Sequence, residues 1–231
     1  SVMRDFRRIK AADNRIILVE GGPRVLPAFA EKLSERARRD LEDLGVEVWT
    51  DAMVSDITHD SVTTNKGTIA SQTVIWAAGV QASAAGKWLG LPTGRSGHVE
   101  VDETLRPDGA ENIYVIGDTA RHVANGTPVP GVAPAAKQMG IYVGRRLSRM
   151  AKGEAPGKAF RYKDSGALAT IGRNRAVADI FGFKMTGFVG WVLWGGAHVF
   201  FLIGFRNRLV VLPPWIWAYF TWQKGGAIVM D

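Results

Sequence analysis

Four short stretches end apolar runs on residues able to do binding chemistry. In the first, Asn112-Ile113-Tyr114-Val115-Ile116 leads into Gly117-Asp118. A carboxylate at the carboxyl end of a parallel strand offers two acceptors to sugar or ribityl hydroxyls. The glycine before it lets the backbone come close to a ligand. The same residues also read as a plain Gly-Asp turn. In the second, Val132-Ala133-Pro134-Ala135-Ala136-Lys137-Gln138 opens a helix whose N-terminus would point back at the same crevice. Its free N–H groups and positive dipole end suit negative charge on a reduced ring. Ala135 and Ala136 leave room for a flat ligand, and Gln138 is placed to hydrogen-bond a ring carbonyl; as a bare pattern this is a small-residue helix start. In the third, Ile16-Ile17-Leu18-Val19 ends on Glu20, with Gly21-Gly22-Pro23 behind it. An acid there accepts hydrogen bonds from an adenosine ribose in dinucleotide-binding folds. In the fourth, Thr73-Val74-Ile75-Trp76 runs into Ala77-Ala78-Gly79, small enough for a cofactor to lie on the backbone, or simply for close packing.

Other chemistries are absent from the sequence. There are no cysteines, which removes disulfides, thiolate metal sites and thiol catalysis. His59, His98, His122 and His198 lack metal-ligand spacing, so no metal is expected. No Ser-His-Asp or Walker pattern occurs. The net charge of +7 is unevenly spread. Residues 1–60 carry 10 Lys+Arg against 12 Asp+Glu, whereas Lys137 to Lys163 holds eight basic residues and one acid, Glu154. Such a patch meets nucleic acid, an anionic membrane face, or only solvent. No nucleic-acid motif accompanies it, so nucleic acid is not expected as a partner.

The elements that must position these residues follow from periodicity. Glu31–Leu44 has Leu33, Ala37, Leu41 and Leu44 at helical spacing, with Gly45 as its stop. Val46–Trp49 and Ala52–Ile57 read as strands, Ser61–Ile69 as a hairpin around Asn65-Lys66-Gly67, and Thr73–Gly79 as an apolar strand. Residues 80–110 read as loops with a short strand near His98–Val101; Asn112–Ile116 reads as a buried strand and Val132 to about Lys152 as a helix. Residues 1–10 read as the tail of a helix. The strand–helix–strand order fits the second half of a doubly wound nucleotide-binding domain. From Gly187 the composition changes. Residues 187–205 carry no charged residue and five glycines, and residues 209–222 are apolar and aromatic around Pro213-Pro214, which should break a span. Tryptophans flanked by Arg and Lys favour helices lying in one leaflet, with a spanning helix at 187–205 as the alternative and a buried soluble core as a third reading.

Taken in order, ILVEGGPRVLP, VIWAAGV, NIYVIGD with Thr104 ahead of it, PGVAPAAKQMG, ATIGRNRAVADIFGFKMTG and LIGFRNRLVVLPPWIWAYFTW make the chain resemble the C-terminal part of a type II NADH dehydrogenase, a non-proton-pumping, FAD-dependent NADH:quinone oxidoreductase. The resemblance covers nearly the whole chain. It implies an α/β fold, part of a flavoprotein with two Rossmann-like dinucleotide-binding domains and an apolar, membrane-associating C-terminal region. Residues 1–103 would be the end of the NADH domain, 104–165 the returning segment of the FAD domain and 166–231 the membrane region. It implies Glu20 for the NADH ribose, Ala77, Ala78 and Gly79 near the nicotinamide half, and Gly117 and Asp118 for the FAD ribityl chain. Val132, Ala133 and Gln138 would lie around the isoalloxazine ring and quinone, with Lys184 matching a family lysine near the flavin. The implied cofactors are FAD and NADH. The implied partners are ubiquinone or menaquinone, the membrane surface through residues 187–222 and a second copy in a homodimer, at the cytoplasmic face of the inner membrane.

The family's two Gly-x-Gly-x-x-Gly loops do not occur here, and none of the 19 residues before Glu20 is glycine. The sequence therefore reads as a fragment expected to bind FAD and NADH poorly by itself. The family often carries Ala-Gln-x-x-x-Gln on the quinone side; here Pro134 takes the first glutamine's place and Gln138 remains. The His-x-x-x-x-Glu dyad of disulfide reductases is absent, and so are the cysteines of sulfide:quinone reductases. Two alternatives stand beside this reading: an inactive remnant that binds membrane or a partner, and a soluble FAD-dependent NAD(P)H reductase.

Overall fold

A computed structural model describes residues 15–221 except Asn125 and Ile203. The helix tail expected over residues 1–10 lies outside the described residues. In chain order the elements are β1 (Ile16–Val19), α1 (Glu31–Glu42), β2 (Val46–Trp49), β3 (Val54–Ile57), β4 (Ser61–Thr64), β5 (Gly67–Ala70), α2 (Ala85–Trp88) and β6 (Val99–Val101). They continue with β7 (Ala120–Ala124), β8 (Thr127–Pro128), α3 (Ala133–Ala151), β9 (Ala167–Gly172), β10 (Arg175–Ile180), β11 (Phe183–Thr186), α4 (Gly187–Phe201) and α5 (Phe205–Thr221). They form two compact units, one from the stretches up to Val74 and from Gly166 onward, the other Ile75–Ser165.

In the first unit, β1 and β2 pair in parallel through the α1 crossover, Ile16 opposite Val46 and Val19 opposite Trp49. The expected helix forms because Leu33 and Ala37 share one face, which is buried. It stops before Gly45, whose φ of +85° an L side chain resists. The expected hairpin is β4–β5, and β3 completes an antiparallel meander. A second antiparallel sheet, β9–β10–β11, was not anticipated. Its middle strand carries Ala176, Val177 and Ala178, all fully buried. Val177 packs with Leu33 and Ala37 of α1. On its other side α4 approaches so closely that a Cβ on Gly190 would stand 3.1 Å from the Ala176 carbonyl oxygen. Small residues thus let one strand sit between two helices.

Helices α4 and α5 pack through rings: Trp194 stacks on Trp215 at 6.1 Å, and Trp191 meets Tyr219 at 5.2 Å. Arg208 caps α4 from outside, donating to the carbonyls of Phe200 (2.7 Å) and Leu202 (3.2 Å). Arg173 donates to the Tyr219 carbonyl and lies over its ring, and the Tyr219 hydroxyl donates to Asn174, so the β9–β10 turn holds α5. Two expectations are corrected here. Pro213 and Pro214 sit inside α5 rather than breaking it. The run at 187–205 is not a spanning helix: α4 has 15 residues, about 22 Å at 1.5 Å per residue, against about 30 Å of hydrocarbon. Among the described residues no helix is long and apolar enough to cross a membrane.

In the second unit β6 pairs in parallel with β7, and β8 returns antiparallel to β7. Helix α3 buries Met139 and Val143 against Val99, Leu105, Val115, Ala120 and Phe160. Two predicted strands are absent. Asn112–Ile116 places Val115 in this core, but its backbone bonds to the rest of the chain are a local turn, Ile113 N–H to the Ala110 carbonyl, and Val115 N–H to the Leu105 carbonyl, each 3.0 Å, not a ladder. Thr73–Gly79 forms no strand, and Ile75 (86%) and Trp76 (65%) are exposed. An apolar run becomes a strand only when a neighbouring strand takes up its N–H and C=O groups in a ladder, and among the described residues neither run has one.

Candidate functional site

The Gly117-Asp118 corner is built from below by a turn at Asp102. The Asp102 carboxylate accepts the N–H of Thr104 (2.7 Å), the Thr104 hydroxyl (2.9 Å) and the N–H of Arg106 (3.0 Å). Burial pushes this carboxyl up, but those bonds and the Arg106 charge together outweigh it and hold it below its ordinary range. The turn aims the Leu105 carbonyl at Val115 N–H. The Tyr114 hydroxyl then accepts from Arg106 (2.7 Å) and from Arg146 of α3 (3.2 Å). Burial raises the Tyr114 phenol, and the two guanidiniums outweigh it, leaving it lowered. The run is thus strapped to α3 before it reaches Gly117.

Gly117 has φ of +65°, where glycine costs nothing and other residues strain. Its N–H points at the Met139 sulfur, 3.3 Å away, and a Cβ there would touch that of Ala136 at 3.5 Å. Asp118 is exposed and makes no hydrogen bond or ion pair among the described residues. Its carboxylate lies 3.6 Å from where a Gly131 Cβ would stand, just ahead of the α3 N-terminus. Val132 is the N-cap with extended backbone and Pro134 follows in the first turn, so α3 starts without a side-chain cap. The first N–H groups of the helix and a free carboxylate therefore share one corner. Across it Ser83 and Thr119 hydroxyls meet at 3.2 Å.

Glu20 ends β1 as expected. Its N–H donates to Trp49 (2.8 Å), its carbonyl accepts from Ala52 (3.0 Å), and one carboxylate oxygen accepts Gly22 N–H at 2.8 Å. The other oxygen has no partner among the described residues. Ala77, Ala78 and Gly79 are exposed, with Gly79 at φ +90°. Ala133 is exposed beside Val132. Gln138 is committed differently from expectation: its amide donates to the Lys163 carbonyl and accepts Lys163 N–H, both at 2.9 Å. Lys184 is exposed on β11, opposite Asp179. The structure thus brings Gly117, Asp118, Val132 and Ala133 together within the second unit and holds Glu20 and Lys184 in the first.

Residues 5–140 match the family model described as pyridine nucleotide-disulphide oxidoreductase. The chain belongs to that family. Residues 165–222 match a second model, the NDH2 C-terminal domain. Among curated relatives, the type II NADH:quinone oxidoreductase Ndh of Mycobacterium tuberculosis is 35% identical over 98% of this chain and 50% of its own length. A second protein of that organism, the type II NADH:quinone oxidoreductase NdhA, is 34% identical over 91% of this chain and 47% of its own. The chain therefore spans about half the length of the curated relatives it matches. The solved structure of NDH2 from Plasmodium falciparum in complex with NADH shares the fold, with a TM-score of 0.82 at 18% identity, over 95% of this chain and 62% of that one.

Several supporting residues of this family member escaped sequence reasoning. Ser83 and Thr119 carry no motif, and Gly131 and Met139 stand in the PGVAPAAKQMG run without a role of their own there. Only the corner's geometry gives them a role. The β9–β11 sheet did have a signal: alternating ALATIG, RAVADI and FKMT, separated by Arg173-Asn174 and Phe181-Gly182. Phe181 (φ +51°) and Gly182 (φ +83°) form the double left-handed turn that joins twisted strands tightly.

Proposed function

We propose that this chain contributes the adenosine-ribose acid, the flavin-facing corner and the membrane-directed helices of an FAD-dependent NADH:quinone oxidoreductase. The observation that carries the reading is the unpaired Asp118 carboxylate beside the uncapped α3 N-terminus, behind a glycine at positive φ. The donor set fits the group: a carboxylate for ribityl hydroxyls, and helix N–H groups for the negative edge of a reduced isoalloxazine ring. The chemistry that FAD supplies when bound is acceptance of a hydride from NADH and delivery of two electrons to ubiquinone or menaquinone. In this reading Glu20 accepts the ribose hydroxyls of NADH, and its charge repels the 2′-phosphate of NADPH. Ala77, Ala78 and Gly79 let the nicotinamide half approach backbone. Val132 and Ala133 flank the ring with no side-chain acid or base. Gln138 positions the Lys163 segment beside α3, and Lys184 is the remaining candidate near the flavin.

Membrane association belongs to the same proposal. Phe188, Phe200, Phe205, Trp217 and Phe220 of α4 and α5 are each more than half exposed. Together with Arg206 and Arg208 they suit helices lying in the interface on the cytoplasmic face of the inner membrane. The test is to join the chain to the part of the mycobacterial Ndh relative that it does not cover, then measure retained flavin and NADH-dependent quinone reduction. Asp118→Ala should lower flavin retention by at least about tenfold, as expected for losing a charge-assisted hydrogen bond to the ribityl chain. A folded, flavin-loaded chimera indifferent to Asp118→Ala refutes the assignment.

A further inference from the structure

The second unit has a groove of about 370 Å³ along α3, away from the Gly117–Asp118 corner. One wall is the face of α3 bearing Tyr142, Arg145, Arg146 and Arg149; the other is the returning stretch Pro156 to Lys163. Both ends of the groove are tied down. At one end the Gln138 amide holds Lys163 by two bonds of 2.9 Å. At the other, Arg149 donates to the Ala155 carbonyl at 2.7 Å. Between them Phe160 is buried, and its N–H donates to the Glu103 carbonyl at 2.8 Å. The groove is therefore a held shape rather than a loose loop lying on a helix.

Its charge is one-sided. Arg145, Arg149, Lys158, Arg161 and Lys163 line it, with Arg146 beneath, bonded to the Tyr114 and Tyr142 hydroxyls. No carboxylate lines it, and the nearby Glu154 is 3.7 Å from Arg149. Among the described residues the side chains of Arg145, Lys158, Arg161 and Lys163 form no ion pair or hydrogen bond. Elsewhere the chain does pair its arginines, as in Arg36–Asp40, Arg38–Glu42 and Arg175–Asp43. Four uncompensated cations around one concavity repel one another, and an anion with several oxygens relieves that repulsion. Guanidinium forks beside ammonium groups match phosphate oxygens.

We propose that this groove binds a phosphate-bearing anion, and that its occupant is the headgroup of an anionic phospholipid. The chain already exposes aromatic helices suited to an interface, and a headgroup site adds lipid selectivity that apolar contact cannot supply. The groove shares only Gln138 with the residues placed around the flavin, and that amide is engaged with the Lys163 backbone; Arg145, Lys158 and Arg161 have no part in the flavin reading.

The test is co-sedimentation of the full chain with vesicles of phosphatidylcholine alone or mixed with phosphatidylglycerol, with inorganic pyrophosphate as a soluble competitor. The variant Arg145→Glu, Lys158→Glu, Arg161→Glu should bind phosphatidylglycerol vesicles at least about tenfold more weakly. Its binding to phosphatidylcholine, which reads the apolar helices, should not change. A control of equal charge change, Lys32→Glu, Lys66→Glu, Arg95→Glu, should lose less than about threefold. Equal losses in the two variants mean diffuse attraction and overturn the site. Groove-dependent binding of pyrophosphate with unchanged binding to phosphatidylglycerol assigns a free phosphate and overturns the lipid. Should the triple variant fail to fold, Arg145→Gln and Lys158→Gln tested singly must each weaken phosphatidylglycerol binding, and no effect from either overturns the proposal.

Discussion

Replacing Gln138 by glutamate separates a structural from a purely ligand-directed role for this side chain. The Gln138 amide both donates to and accepts from the backbone of Lys163, at 2.9 Å each way. The Gln138→Glu variant keeps an acceptor for Lys163 N–H but turns a carboxylate oxygen toward the Lys163 carbonyl. One net hydrogen bond is worth about 1 kcal/mol, and the facing oxygens add repulsion that solvent partly screens. The loss at pH 7 should be about 1–2 kcal/mol, or about 2–8 °C in melting temperature for a chain of this size. The effect should vanish in acid. Once protonated, the introduced carboxyl donates to the carbonyl and accepts from the N–H, as the amide does. The folded-state pKa of the introduced acid is therefore raised. Its contribution is present below the unfolded value, about 4.3, and is lost as pH rises through the folded value. Urea melts of wild type and variant at pH 4 and pH 7 measure this. A variant as stable as wild type at both values refutes the clamp and returns Gln138 to a role seen only with bound ligand.

Four further outcomes are expected. Gly166 has φ of +97°, and an added Cβ would collide with the Asp179 carbonyl oxygen and stand 2.8 Å from the Ile180 Cα; Gly166→Ala should cost more than about 3 kcal/mol by thermal melt, since backbone must move as well as strain. Asp102 has a lowered pKa, so its stabilising effect is present above the unfolded value and lost as pH falls through the folded one; wild type should lose stability relative to Asp102→Asn in urea melts taken below about pH 4. Arg173→Ala removes the donor to Tyr219 and the cation over its ring, and should speed proteolysis within α5 while leaving the second unit's cleavage unchanged. The sequence holds no Gly-x-Gly-x-x-Gly, and flavin titration of the 231-residue chain should show FAD affinity too weak to survive gel filtration.

Local patterns reached as far as local physics did. The spacing of Leu33, Ala37 and Leu41 was enough for α1, because a stripe of one face is a property of the sequence. Asn65-Lys66-Gly67 was enough for the β4–β5 turn, because the φ of +131° at Gly67 depends on one residue. The runs at 73–79 and 112–116 look at least as strand-like, yet neither has a ladder, since strand formation needs a partner that periodicity cannot name. Gln138 shows the same limit within the site. Its position on α3 was readable, but its partner Lys163 lies 25 residues away.

The sequence by itself determined the chemical inventory: an acid after β1, a Gly-Asp pair before a helix of small residues, no thiol, and an aromatic, nearly uncharged C-terminal stretch. Those are matters of residue type and short spacing. Only the tertiary structure decided that Asp118 stays unpaired beside the α3 N-terminus, that β10 lies between α1 and α4, and that the basic residues of 145–163 face one another across a groove. Each of these depends on which distant backbone takes up a hydrogen bond and which faces exclude water together. Such pairings are settled when the whole chain packs, not residue by residue.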